Sequence, residues 1–159
     1  MSKPQHIYEY STVDFIKYLA DECGWDGIKR PKDRKFLSDL KDLLTEWGDV
    51  PFKQCIKKVN ETYDHADYFG IPHEKTLIFI HCREPHEIQK FVDYYGSDKC
   101  KTLLIRRPTE ETNDQSNHAD AQVFDYRYDE VIINDRDLDY LEELAEEFVA
   151  EKIGVDALK

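Results

Sequence analysis

The sequence predicts an α/β fold, with a mostly parallel sheet of about four strands flanked by helices. Three observations carry this reading. Thr76 to Ile80 (TLIFI) and Leu103 to Ile105 (LLI) show no alternation of polar and apolar positions, so both faces of each strand are expected to be buried. Each run then breaks into charge and proline, at Arg83-Glu84-Pro85 and at Arg106-Arg107-Pro108. Segments with apolar residues at spacings of three and four alternate with the strands, as parallel crossover units require.

The elements follow in order. Residues 1–5 are polar and expected to be loose. His6 to Tyr10 (HIYEY) alternates and is aromatic, which suits a short strand. Ser11 and Thr12 offer an N-cap to a helix with Asp14 in its first turn, where a carboxylate complements the helix dipole. Phe15, Ile16, Leu19 and Ala20 form its stripe, and Gly24 stops it. Trp25-Asp26-Gly27 is a turn. A helix from Pro31 to the Gly48-Asp49 stop has Phe36, Leu37, Leu40, Leu43, Leu44 and Trp47 on its apolar face. A third helix opens at Pro51 with Phe52, Cys55, Ile56, Val59 and Tyr63. Asp64 to Lys75 is polar and reads as irregular.

After the first apolar strand, Pro85 suits the first turn of a helix that carries Ile88, Phe91, Val92 and Tyr95 and ends at Gly96. Ligands of such sheets gather at the carboxyl ends of strands, so Arg83 is the first residue expected to touch an anion. After the second strand, residues 109–120 have no apolar periodicity and read as a long polar loop. Gln122 to Tyr128 is aromatic and charged. Glu130 to Ile133 (EVII) is a terminal strand ending at Asn134-Asp135. Asp137 to Ile153 is an acidic helix with Leu138, Leu141, Leu144, Ala145 and Phe148 inward.

With 159 residues, the chain suits one domain, 1–159. Its net charge of −12 argues against binding nucleic acid or an anionic membrane, whose phosphates it would repel. A few arginines can still hold a small phosphorylated ligand. Cys23, Cys55, Cys82 and Cys100 form no C-x-x-C pair and have no metal-ligand spacing with a histidine, so reduced thiols are expected. His81, His118 and Asp120 are scattered over strand and loop, and no metal site is expected. No leader pattern and no membrane-length apolar run is visible, which points to a soluble, cytoplasmic protein.

Five pieces in one order carry a resemblance: Gly24-Trp25-Asp26-Gly27 before a helical pair, Arg83-Glu84-Pro85 after a buried strand, Arg106-Arg107-Pro108 after the next, Ser116-Asn117-His118-Ala119-Asp120, and Asn134-Asp135 closing the last strand. This order resembles the P-loop kinases that phosphorylate nucleoside monophosphates, in particular the deoxynucleoside monophosphate kinase-like branch. The likeness runs from about Ile7 to Phe148. It implies a helical monophosphate-binding insertion at about 31–65 and a lid-like loop at about 107–121. It also implies substrate contacts from Arg83, Asp14 and Asn134, with Arg106 and Arg107 steadying the transferring phosphate. For Tyr126 and Tyr128, with Asp125 and Asp129, the resemblance implies a place at the base of that lid, while packing is the reading the residues themselves favour.

One family motif is missing. No G-x-x-x-x-G-K-[ST] occurs, and the chain reads as though it begins at the family's second strand. In that family the first strand is central to the sheet and its loop cradles the donor phosphates. The expected function is therefore a nucleotide kinase-like protein that binds a small nucleotide ligand, a nucleoside monophosphate, and is catalytically incomplete alone. Mg and ATP are expected only if kinase activity is retained. Two alternatives follow. A separate polypeptide or an omitted N-terminal segment supplies the P-loop, or the degenerate fold serves interaction, as a homodimer or by taking up a partner strand.

Overall fold

The computed structural model describes residues 6–73, 76–108 and 122–153. The expected lid loop, including Ser116 to Asp120 with His118, lies outside the described residues apart from its first two positions. No helix of the described residues is long and apolar enough to cross a membrane. The chain divides into two compact units, one ending at His81 and the other running from Cys82 onward.

In the first unit, β1 (His6–Ser11) runs parallel to β2 (Thr76–His81), with His6 opposite Thr76 and Ser11 opposite His81. Between them lie α1 (Asp14–Glu22), α2 (Pro31–Gly48) and α3 (Val50–Tyr68). The core is built from Ile16 and Ala20 of α1 with Cys55, Ile56, Val59 and Ala66 of α3. Positions 55, 59, 62 and 66 step by four, three and four, which keeps one face of α3 inward. Buried Thr62 on that face bonds its hydroxyl to the Tyr10 hydroxyl at 2.6 Å.

In the second unit, α4 (Pro85–Tyr95) leads to β3 (Leu103–Arg106), and β4 (Glu130–Ile133) lies parallel to β3. A short 3-10 turn, Val123–Asp125, precedes β4, and α5 (Leu138–Phe148) follows it. Ile88 and Phe91 of α4 are the buried apolar residues. A side-chain clamp precedes both strands: Asp129 Oδ2 accepts from Thr102 N (2.8 Å) and Oγ1 (2.9 Å), and Thr102 Oγ1 accepts from Asp129 N (2.9 Å). It fixes the register in which Leu103 faces Glu130.

The α/β class and the four strands agree with the sequence, but the single four-stranded sheet does not appear. Among the described residues the strands form two separate two-stranded sheets, β1-β2 and β3-β4. A two-stranded sheet leaves one edge of each strand unpaired, so Leu77 to Ile80 are only half-buried instead of buried on both faces. Helix α3 continues to Tyr68 through the segment expected to be irregular, because Ala66 extends its buried stripe.

Helix α2 buries none of the residues expected to face inward. Phe36, Leu43 and Trp47 are 41 %, 62 % and 79 % exposed. Its six large apolar residues span more than one face, and the 36–43–47 stripe is the side left outside. The expected inward face of α5 is likewise at most half-buried, with Leu138 and Ala145 exposed. At the start of α1, Ser11 and Thr12 do not cap as expected. Val13 is the N-cap, and the Asp14 carboxylate reaches back to Ser11 N at 2.7 Å.

Candidate functional site

The residues expected to contact substrate fall in both units. Asp14 belongs to the first. Its reach to Ser11 N fixes the turn between β1 and α1, and Lys17 lies 4.0 Å from its other oxygen. Asp14 also lines an open cleft of about 600 Å³ with Tyr8, Tyr10, Lys58, Glu61, Thr62 and His65. The lining carries both signs of charge and several hydroxyls, which suits a small ligand with hydroxyl and anionic groups. Lys58, Glu61, Thr62 and His65 escaped sequence reasoning. Their spacing of three, one and three places them on one face of α3, a polar stripe that the search for apolar periodicity passed over.

The turn at Gly24 to Gly27 is closed on itself. Gly24 and Gly27 both have positive φ, at 90° and 81°. Ile28 N donates to Asp26 Oδ1 at 3.1 Å, and Trp25 Nε1 donates to the Ile28 carbonyl at 2.9 Å. Arg30 forks onto Asp26 at 2.6 and 3.1 Å and onto Asp33 at 3.1 Å. The fork holds the Asp26 carboxyl below its usual range and raises the Arg30 guanidinium. These groups are occupied in joining α1 to α2.

The second unit brings Arg106 and Asn134 together. The Asn134 N–H donates to the Arg106 carbonyl at 2.8 Å, where β3 and β4 end. Asn134 is 2 % exposed, its Nδ2 donates to the Asp137 carbonyl at 3.0 Å, and its Oδ1 accepts from Arg136 N at 3.1 Å. Both ends of the amide are thus spent on the turn into α5, whose first turn Asp137 caps through Tyr140 N. The Arg106 guanidinium lies 4.9 Å over the Phe124 ring. Exposed Arg83 precedes α4 and exposed Arg107 follows β3; each of these three arginines already engages a neighbour.

Tyr126 and Tyr128 pack edge to face at 5.1 Å. Their hydroxyls donate to Gln89 Oε1 (3.0 Å) and to the Val123 carbonyl (2.8 Å). Burial raises the pKa of both phenols and of the Cys100 thiol; Asp129 adds to the shift of Tyr126 and Cys100. Among the described residues, Glu84, His86 and Glu87 at the start of α4 form a group with metal-ligand character.

Comparison with protein-family models, with curated proteins and with solved structures yields no match. The fold defines the class, an α/β protein with two parallel strand pairs.

Proposed function

We propose that this chain is a nucleotide kinase-like protein that binds a nucleoside monophosphate and does not complete phosphoryl transfer alone. The strand pairing is the observation that carries this reading. In the kinases the sequence resembles, the strand bearing the phosphate loop is central to the sheet. The resemblance implies a parallel pair on either side of that strand, and β1 with β2 and β3 with β4 are each parallel pairs. β3 ends at Arg106, with Arg107 next in the chain, and Arg83 follows β2 by two residues. A planar guanidinium at a strand's carboxyl end matches the oxygens of a phosphate. Without the glycine-lysine loop the donor triphosphate has no backbone cradle, so turnover requires that loop from another segment, together with Mg and ATP.

Thermal denaturation with nucleoside monophosphates, and separately with ATP and Mg, tests this. At a hundredfold excess over the dissociation constant, a monophosphate should raise stability by about 2.7 kcal/mol, roughly 5–10 °C. Arg83→Ala should abolish that shift. A shift with ATP and Mg would point instead to an enzyme that binds its donor without the glycine-lysine loop. No shift with either ligand refutes nucleotide binding.

A second reading, interaction through an added strand, is favoured by one observation. β2 is wholly apolar from Leu77 to Ile80 yet half-buried, and it pairs on one side only among the described residues. A dimer in solution with no nucleotide shift would support it.

A further inference from the structure

We propose that Glu84, His86 and Glu87 form a binding site for a divalent transition ion at the start of α4. The inference stands on the second unit alone and does not depend on the nucleotide reading. One ligand atom from each residue lies within 4.8 Å of the other two. His86 Nε2 sits 3.7 Å from Glu84 Oε2 and 3.6 Å from Glu87 Oε1. These separations are too long for good hydrogen bonds. They are close to the edge, about 3.4 Å, of a tetrahedron built on metal–ligand bonds of about 2.1 Å.

The second observation is the state of Glu87. Its side chain is fully buried, and Oε2 has no hydrogen-bond partner. Lys90 Nζ donates to the other oxygen, Oε1, at 3.0 Å, the same oxygen that faces His86. A carboxylate oxygen removed from water and left without a donor is costly, and a cation held by both oxygens of Glu87 would satisfy it. Helix capping does not explain the cluster either, since Glu84 at the N-cap makes no side-chain cap hydrogen bond. The helix's N-terminal dipole, about half a positive charge, and the Lys90 ammonium on Oε1 work against a cation here; the two carboxylates, one of them buried and half-satisfied, work for one.

The donor set selects the ion. One imidazole with two carboxylates suits Zn²⁺, Co²⁺ or Mn²⁺, whereas Ca²⁺ and Mg²⁺ prefer shells built from oxygen. His86 is 60 % exposed on its side chain, so the ion would be reached from solvent and would complete its shell with water.

Co²⁺ is the probe, because its visible spectrum reports both the ligands and the geometry. Titrating the full chain should give one bound Co²⁺ with tetrahedral d–d bands and no thiolate charge-transfer band. That second condition excludes the four cysteines as ligands. His86→Ala, a change at an exposed position, and Glu87→Gln should each weaken binding by about ten- to a hundredfold or more, given that supporting groups alone have effects of that size. No Co²⁺ binding, a thiolate band, or undiminished affinity in His86→Ala would each overturn the proposal. If Glu87→Gln fails to fold, His86→Ala still decides.

Discussion

The Asp129–Thr102 clamp should act as an electrostatic latch on the β3-β4 pair. Asp129 accepts two hydrogen bonds through one carboxylate oxygen, one of them from the Thr102 backbone. Hydrogen bonds to a charged acceptor contribute about 1.5–3 kcal/mol each when well shielded. Asp129 is exposed, so screening cuts this down, while the buried Thr102 would be left with an unpaired amide. Asp129→Ala should therefore cost about 2 kcal/mol at neutral pH, or roughly 4–8 °C in Tm. The same bonds, first from the Thr102 amide and then from its hydroxyl, hold the Asp129 carboxyl below its ordinary value. A folded pKa depressed in this way gives stability that is fully present above the unfolded value, about 3.9, and lost as pH falls through the folded one. The gap between wild type and Asp129→Ala should be flat from pH 7 to 5 and narrow below about pH 4. Urea unfolding of both proteins across that range measures it. A gap under about 0.5 kcal/mol at pH 7, or one that stays unchanged in acid, would refute the latch.

Three further outcomes are expected from stability measurements. Phe91→Ala empties the centre of the second unit's core, where Phe91 is 3 % exposed, and should cost about 3–4 kcal/mol by chemical denaturation. Asp49 joins α2 to α3 with a φ of 56°, so Asp49→Gly should stabilise by about 0.5–1 kcal/mol; a loss would mean that its side chain matters more than its backbone. Trp47→Gln on exposed α2 should change stability by less than about 0.5 kcal/mol, and a cost above about 1.5 kcal/mol would show that another surface covers the tryptophan in solution.

The local elements were legible because their signals are local. Pro31 and Pro85 begin helices, Gly24 follows the end of one, and the strand at 130–133 appears at the expected residues. The faces were not legible. In α2 the apolar residues occupy two stripes, and periodicity alone cannot say which stripe meets a neighbour. The β1-β2 pairing joins residues seventy apart and the β3-β4 pairing residues twenty-seven apart, and no spacing rule reports either. The candidate site divides in the same way. Arginines ending strands are visible as charge after an apolar run. The Asn134 amide is bound on both sides to backbone, and the oxygens of Glu84 and Glu87 lie close to His86 Nε2; each of these emerges only from three-dimensional neighbours.

The grip of the Asn134 N–H on the Arg106 carbonyl separates two jobs that often share one residue. A backbone bond keeps the end of β3 in place, while the guanidinium rests over Phe124. Truncating the head group therefore removes the contact with Phe124 and leaves the backbone bond from Asn134 in place. Truncating Asn134 would instead unfasten the turn into α5, which its amide ties to Arg136 N and the Asp137 carbonyl.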